Sequence, residues 1–463
     1  MKTMKILFKE DMAKISAGIR VMPQLVAVSK AKYTRLRNIN ADGLRNTLYP
    51  GKLNKIIPSP ENKRLRASVS IMARYSTRLF PAFRFMAKEF VTTEWLSFVD
   101  FHKKFHRDHI FHQTQVAYTV IELLEKLKFE VISHRLAAKF VSWANVNRHR
   151  KKISLLELCA YRLGVLIQQP SYLNHFTRQL GIPGYLFNVE KNPHAVELLK
   201  TIVYNSALTA ALFHDIGYPF QFLVNIEKAL DPLTKFDLLT GYNPRDIFNA
   251  FKNRLFMTVL SGYRNFNDYP TPSDFPQIIE ENLEHGLKIT HGLPGAITFL
   301  HLNDSLRDYQ SANENQINLL IMELAAAAIM MHDMQKIYGN PVARPHLRLS
   351  FSRDPISFVV TLADQIQEYG RISGEPATPA DSTTVIKFNI EKPVREVELE
   401  YDADNNGVEI SYIYEDSAKG RMACFEKNNV FIPVTMADYF NGRNGFLDYS
   451  EIFSKIKLEA IKR

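Results

Sequence analysis

From Leu319 to Met331 the chain is apolar at every position except Glu323, and the run stops at the polar pair His332-Asp333. Such a run carries no strand-like alternation and is too short to span a bilayer, so it reads as a central helix, Ile317 to His332, buried on several faces. A helix of that kind must be surrounded by other helices. Val116, Val120, Leu123, Leu124 and Leu127 supply one amphipathic repeat, at spacings of three and four. Leu198, Leu199, Ile202, Val203, Ala207, Leu208 and Ala211 supply another, which leads into Phe213 and the pair His214-Asp215. A further helix should begin at Asp354-Pro355, with Asp as N-cap and Pro at the first helical position, and run past Asp364.

Elsewhere the pattern changes. Residues 1 to about 100 read as a mostly helical, basic extension packed on the core, with breaks at Pro50-Gly51 and Pro58-Ser59-Pro60. Residues 230 to 280, rich in Tyr, Phe, Asn, Asp and Pro, read as a partly helical insertion or lid. Ser373 to Thr384 interrupts every helical pattern and reads as a linker. Beyond it the period becomes two: Val385–Ile390, Val397–Tyr401 and Val408–Ile413 are expected strands, the last two joined by a turn through Asp404-Asn405-Asn406-Gly407. A closing helix is expected over Tyr449–Ile461. The expected fold is therefore mainly α, with a helical body over 101–375 and a small α+β domain over 385–463. A length of 463 residues agrees with two or three domains.

Cys159 and Cys424 lie far apart, outside any metal-ligand spacing, which fits buried thiols in a reducing compartment. Charge interrupts every apolar patch of the first 24 residues, so no secretory signal is read there and a cytoplasmic location is the expectation. The formal net charge of +10 favours anionic partners. Much of the surplus lies in Lys30–Arg37, Lys63–Arg66 and Arg148–Lys152, which read equally as a nucleic-acid surface or a solvated basic face.

Among chemistry-bearing residues, His214-Asp215 has the most distinctive setting, because an apolar helix delivers two ligating side chains and Gly217 and Pro219 then turn the chain. Asp364 follows Val359, Val360 and Leu362, so its carboxylate projects from a mostly buried segment and needs a partner, either a metal ion or a buried Arg. His112 opens a third helix. Imidazoles and carboxylates without clustered Cys suit Mn, Fe, Co, Ni, Zn or Mg rather than a structural thiolate site.

The ordered set His112, His214-Asp215 and Asp364 resembles the HD superfamily of metallophosphohydrolases, whose signature is a His, then His-Asp, then a distant Asp, all on helices. The resemblance covers roughly residues 101–375 and implies an HD-type helical domain. It also implies one or two divalent metal ions and hydrolysis of a phosphate ester, mono- or diester, by hydroxide generated at the metal. His291 and His332 fall where binuclear branches carry additional ligands, so Asp215 would bridge an ion held by His112, His214 and Asp364 to a second held by His291 and His332. Arg107 and His109, one turn from His112, are candidates for orienting phosphate and protonating the leaving oxygen, or for capping and surface roles. Tyr218, Lys336 and Arg371 are candidate substrate contacts. Gly217-Tyr218-Pro219 directly follows His-Asp here, unlike the later Gly-Tyr-Pro of cyclic-di-GMP phosphodiesterases, and Tyr218-Pro219-Phe220 only echoes the dNTP triphosphohydrolase segment. No branch is assigned, and a nucleotide or related phosphate ester is the expected substrate class. The competing class is an HD-fold module that senses a nucleotide or binds RNA through its basic N-terminal third. The C-terminal domain could regulate, form a homo-oligomer or cover the site.

Overall fold

A computed structural model describes residues 3–9, 109–143, 149–170, 182–189, 192, 194–218, 290–304, 312–335, 348–368, 373–376, 386–389, 394–441 and 445–463. Its first half contains strand β1 (Thr3–Lys9), helix α1 (His109–Lys126), β2 (Lys128–Glu130), α2 (Arg135–Trp143), β3 (Lys152–Ser154), α3 (Leu155–Ile167) and α4 (Ala195–Phe213). Helices α5 (Gly292–Asp304) and α6 (Ala312–Met331), strand β4 (Leu349–Ser350) and helix α7 (Pro355–Ile366) follow. Then come β5 (Ser373–Pro376), β6 (Ile386–Asn389), β7 (Val394–Asp402), β8 (Gly407–Tyr414), α8 (Ala418–Glu426), α9 (Ile432–Asp438), β9 (Leu447–Asp448) and β10 (Lys455–Lys462). A π turn, Lys427–Phe431, joins α8 to α9.

Helix starts obey local chemistry. Ser154 and Glu157 form a reciprocal capping box at α3, and Arg150 pairs with Glu157 at 2.6 Å. Lys152 pairs with Glu130 at 3.2 Å, so part of the basic run 148–152 is engaged within the fold. Asp354 accepts from the Ser357 N–H at 3.0 Å with Pro355 in the first turn of α7, as the sequence indicates. α4 packs against α1, α3, α6 and α7, which explains its apolar composition. Among the described residues it is long and apolar enough to cross a membrane, yet 67% of its apolar window is buried inside the protein. α6, the apolar run, lies against α4, α5 and α7.

The larger sheet has the order β1-β7-β8-β10. β1 and β8 run antiparallel to β7, and β10 runs parallel to β8 after the crossover through α8 and α9. Ile6, Phe8, Val397, Leu399, Tyr401, Ile456 and Leu458 are buried, while Lys5, Glu398, Glu400, Lys457 and Glu459 alternate with them and carry ion pairs. In the β7–β8 turn Asn406 adopts a positive φ of 49°, a conformation asparagine tolerates. The sheet and helices share a core: Phe129 contacts the rings of Tyr401 and Phe453, and His134 Nε2 donates to the Ile452 carbonyl at 3.0 Å.

Three expectations are corrected. The expected helix over Tyr449–Ile461 is instead strand β10, because Ile456, Leu458 and Ala460 alternate with Lys455, Lys457 and Glu459 against an open sheet edge. Thr3–Lys9, inside a segment expected to be mostly helical, is strand β1 and pairs with β7. The start of the expected linker, Ser373–Pro376, is a strand paired with β6. The basic runs 30–37 and 63–66 and the 230–280 insertion lie outside the described residues.

Candidate metal centre

Four elements deliver the site. α1 carries His112 in its first turn, α4 ends at Phe213 and is followed directly by His214-Asp215, α6 ends at Met331 before His332, and α7 carries Asp364. His291 precedes α5. All six side chains are buried or nearly so.

Their reactive atoms converge. His112 Nε2 lies 2.8 Å from Asp364 Oδ1 and 3.3 Å from His214 Nε2. Asp215 Oδ1 lies 3.0 Å from His291 Nε2, 3.4 Å from His214 Nε2 and 3.7 Å from His332 Nε2, and its Oδ2 faces His112 Nε2 at 3.9 Å. His291 and His332 oppose their Nε2 atoms at 3.0 Å. Two overlapping groups, His112/His214/Asp364 and His214/Asp215/His332, have ligand atoms within 4.8 Å of one another, close enough to hold a metal ion.

The far side of each imidazole decides what the near side offers. His214 Nδ1 faces the Ala211 carbonyl at 2.8 Å and His332 Nδ1 faces the Ile329 carbonyl at 2.6 Å. A carbonyl only accepts, so both rings carry their proton on Nδ1. His112 Nδ1 faces Gln367 Oε1, and the Gln367 amide is oriented by donating through its own nitrogen to Gln115 Oε1. His291 Nδ1 lies 2.9 Å from Asp333 Oδ2, at ion-pair distance though off the line of a hydrogen bond, and the same oxygen accepts from the His291 backbone N–H at 2.8 Å. In neutral form, the Nε2 atoms of His112, His214 and His332 therefore present lone pairs to one another, to His291 and to two carboxylates. That arrangement is repulsive until a cation enters it, so the donor set fits a divalent metal.

In the protein alone, protons take that part. Burial disfavours the His214 imidazolium, but Asp215 and then Asp364 outweigh it and raise its pKa to about 9. His291 is also pulled down by burial and raised on balance, by Asp333 and Asp215. His332 stays low, because burial and the cationic His214 and His291 outweigh Asp215. Burial opposes ionisation of Asp364, but His112 and His214 hold it well below the usual carboxylate range.

Backbone close approach locks the cluster. A Cβ on Gly217 would sit 1.9 Å from the His291 carbonyl oxygen, and one on Gly292 would sit 2.8 Å from the carbonyls of Ile329 and Met330. Gly217 therefore serves contact between the 214–218 turn and the start of α5, beyond the turning role its sequence position suggests. Tyr218 stacks on His291, with ring centroids 4.0 Å apart and planes 21° apart. Gln113, with its amide oriented to satisfy both groups, donates to the Leu212 carbonyl and accepts from the Asp215 N–H, each at 3.2 Å.

Thus His112, His214, Asp215, His291, His332 and Asp364 are brought together. His109 is the first residue of α1, and its side chain lies outside the described set, as do Arg107, Lys336 and Arg371. Sequence reasoning left Asp333, Gln367 and Gln113 without a role. The signals were modest: Asp333 forms the chain's second His-Asp pair, Gln367 stands three residues after Asp364, and Gln113 adjoins His112. No protein-family model, curated protein or solved structure matches this chain.

Proposed function

We propose that the chain is an HD-type metal-dependent phosphohydrolase acting on a nucleotide or related phosphate ester. The observation that carries the reading is the convergence of four imidazole Nε2 atoms on Asp215 and Asp364 while each Nδ1 faces an acceptor. His112, His214 and Asp364 would hold one ion, and His291 and His332 a second, with Asp215 between them. Divalent ions so held would supply charge neutralisation at a phosphoryl group and activate water as a nucleophile near neutral pH.

The residues of the chain then have distinct tasks. Asp215 presents both oxygens to the shared centre. Gln367 and Asp333 fix ring orientation in His112 and His291. Tyr218 covers one face of His291 and restricts its rotation.

The test pairs metal analysis of the purified protein with phosphate release from nucleotides, cyclic nucleotides and nucleotide sugars, with Mn, Co, Ni and Mg in turn. Bound divalent metal together with metal-dependent release from at least one substrate is the expected result. A metal-free protein that gains no hydrolysis with any of these ions would overturn the reading.

A further inference from the structure

Asp364 and Gln367 sit where α7 stops. Gln367 is the C-cap, with extended backbone at φ −73° and ψ 103°, and its N–H returns to the Ala363 carbonyl. Helix ends leave carbonyl groups without intrahelical donors and carry partial negative charge, so this turn needs donors or a cation from elsewhere to hold its geometry. Both come from the C-terminal sheet unit. Tyr412 of β8 donates its hydroxyl to the Gln365 carbonyl at 3.2 Å. Lys427, the first residue of the π turn, is itself buried and places Nζ 2.7 Å from Glu368 Oε1 and 4.4 Å from the centroid of the Tyr412 ring. A π turn widens the helix by one residue and commonly marks a functional position; here it holds a lysine against the end of α7.

We propose that the C-terminal unit is a positioning element of the metal centre: Tyr412 and Lys427 clamp residues 365–368 so that Asp364 meets His112 Nε2 while Gln367 meets His112 Nδ1. The inference rests on the metal-centre reading above. Its consequence is that anything that shifts the π turn changes metal affinity through α7, without touching a ligand. Neither Lys427 nor Tyr412 is one of the six candidate ligands, and both act through the backbone and side chains at the end of α7.

The full-length chain carrying Lys427→Met, Lys427→Arg or Tyr412→Phe is titrated with Co(II), read by its absorption spectrum, and the metal-free forms are melted in parallel. Lys427→Met is expected to bind Co(II) roughly 10-fold more weakly, the lower end of the range for groups bonded directly to ligands, because Lys427 acts through residues 365–368. Lys427→Arg should recover most of the loss, and metal-free melting of the arginine variant should stay cooperative. Tyr412→Phe removes one hydroxyl only, so it keeps the test open if Lys427→Met fails to fold; a weakened Co(II) affinity is expected there too. Wild-type affinity in both Lys427→Met and Tyr412→Phe would overturn the clamp. If the wild-type chain binds no divalent ion, the metal reading fails separately, and amide exchange at 363–368 then judges the clamp. Faster exchange in Lys427→Met supports it, and unchanged protection overturns it.

Discussion

At the scale of single residues, Asp215 has the most to lose. Its Oδ1 is within 3.7 Å of three imidazole nitrogens, so Asp215→Ala removes the carboxylate shared by both halves of the donor set. The expected outcome is loss of both metal retention and phosphate release, checked by metal content and turnover in the same preparation; near-normal turnover would remove the mechanism. Asp333 meets His291 at both its ring and its backbone N–H, and Asp333→Ala should weaken divalent-ion binding by roughly 10–100-fold in a metal titration, with Asp333→Asn recovering part. His134 is outside the six candidate ligands and makes a pH prediction of its own. Its Nδ1 accepts from the Ala137 N–H at 3.3 Å while Nε2 donates to Ile452, so the folded state requires the neutral ring. Burial lowers its pKa below the ordinary 6.5, against the opposing Ile452 bond. Below pH 6.5 the unfolded chain therefore binds the proton first, and stability falls as pH drops toward the lower folded value. His134→Asn keeps an acceptor ahead of α2 but cannot titrate, so urea melts between pH 7 and pH 5 should show a shallower loss for this variant.

At the scale of elements, the sequence was most legible where burial is uniform or a cap is chemically explicit. Asp354-Pro355 marks the start of α7 because the carboxylate and the fixed proline φ act locally, and the apolar run of α6 can only be interior. β10 was illegible for the opposite reason: Lys, Leu, Glu and Ala are good helix formers, and only an unpaired sheet edge made the two-residue period of 455–462 decisive. The six candidate ligands were readable as an ordered set, whereas Asp333 and Gln367 gain meaning only from the rings they face. Gly217 lies between these cases, since its sequence suggests a turn and its structure shows a steric demand. Gly217→Ala forces a Cβ against the His291 carbonyl and the Gly295 nitrogen, both backbone atoms that cannot swing aside. A loss of about 3 kcal/mol is expected in urea denaturation, as for an overpacked core. Metal affinity should fall with it, because α5 and His291 must retreat.

At the scale of the molecule, the first strand joins a sheet built from the last seventy residues. β1 supplies the edge of the sheet by pairing with β7, and Lys5 bonds Glu398 across 393 residues of sequence. The sheet beneath Phe129 and His134 is therefore complete only when the first residues reach it, a non-local closure that slows folding. Phe8 is fully buried in this seam and Ile6 nearly so. Phe8→Ala should cost about 3–5 kcal/mol by the burial and cavity it sacrifices. The loss should appear in more than the sheet. If β1 lets go, β7 becomes an unpaired edge and the β8 that carries Tyr412 loses a neighbour's support, so the end of α7 loosens with it. Phe8→Ala should accordingly lower the denaturation midpoint, raise aggregation at high protein concentration and weaken Co(II) binding together. A variant that lowers the midpoint by the expected amount but binds Co(II) with wild-type affinity would show that the helical body holds its site independently of the sheet edge.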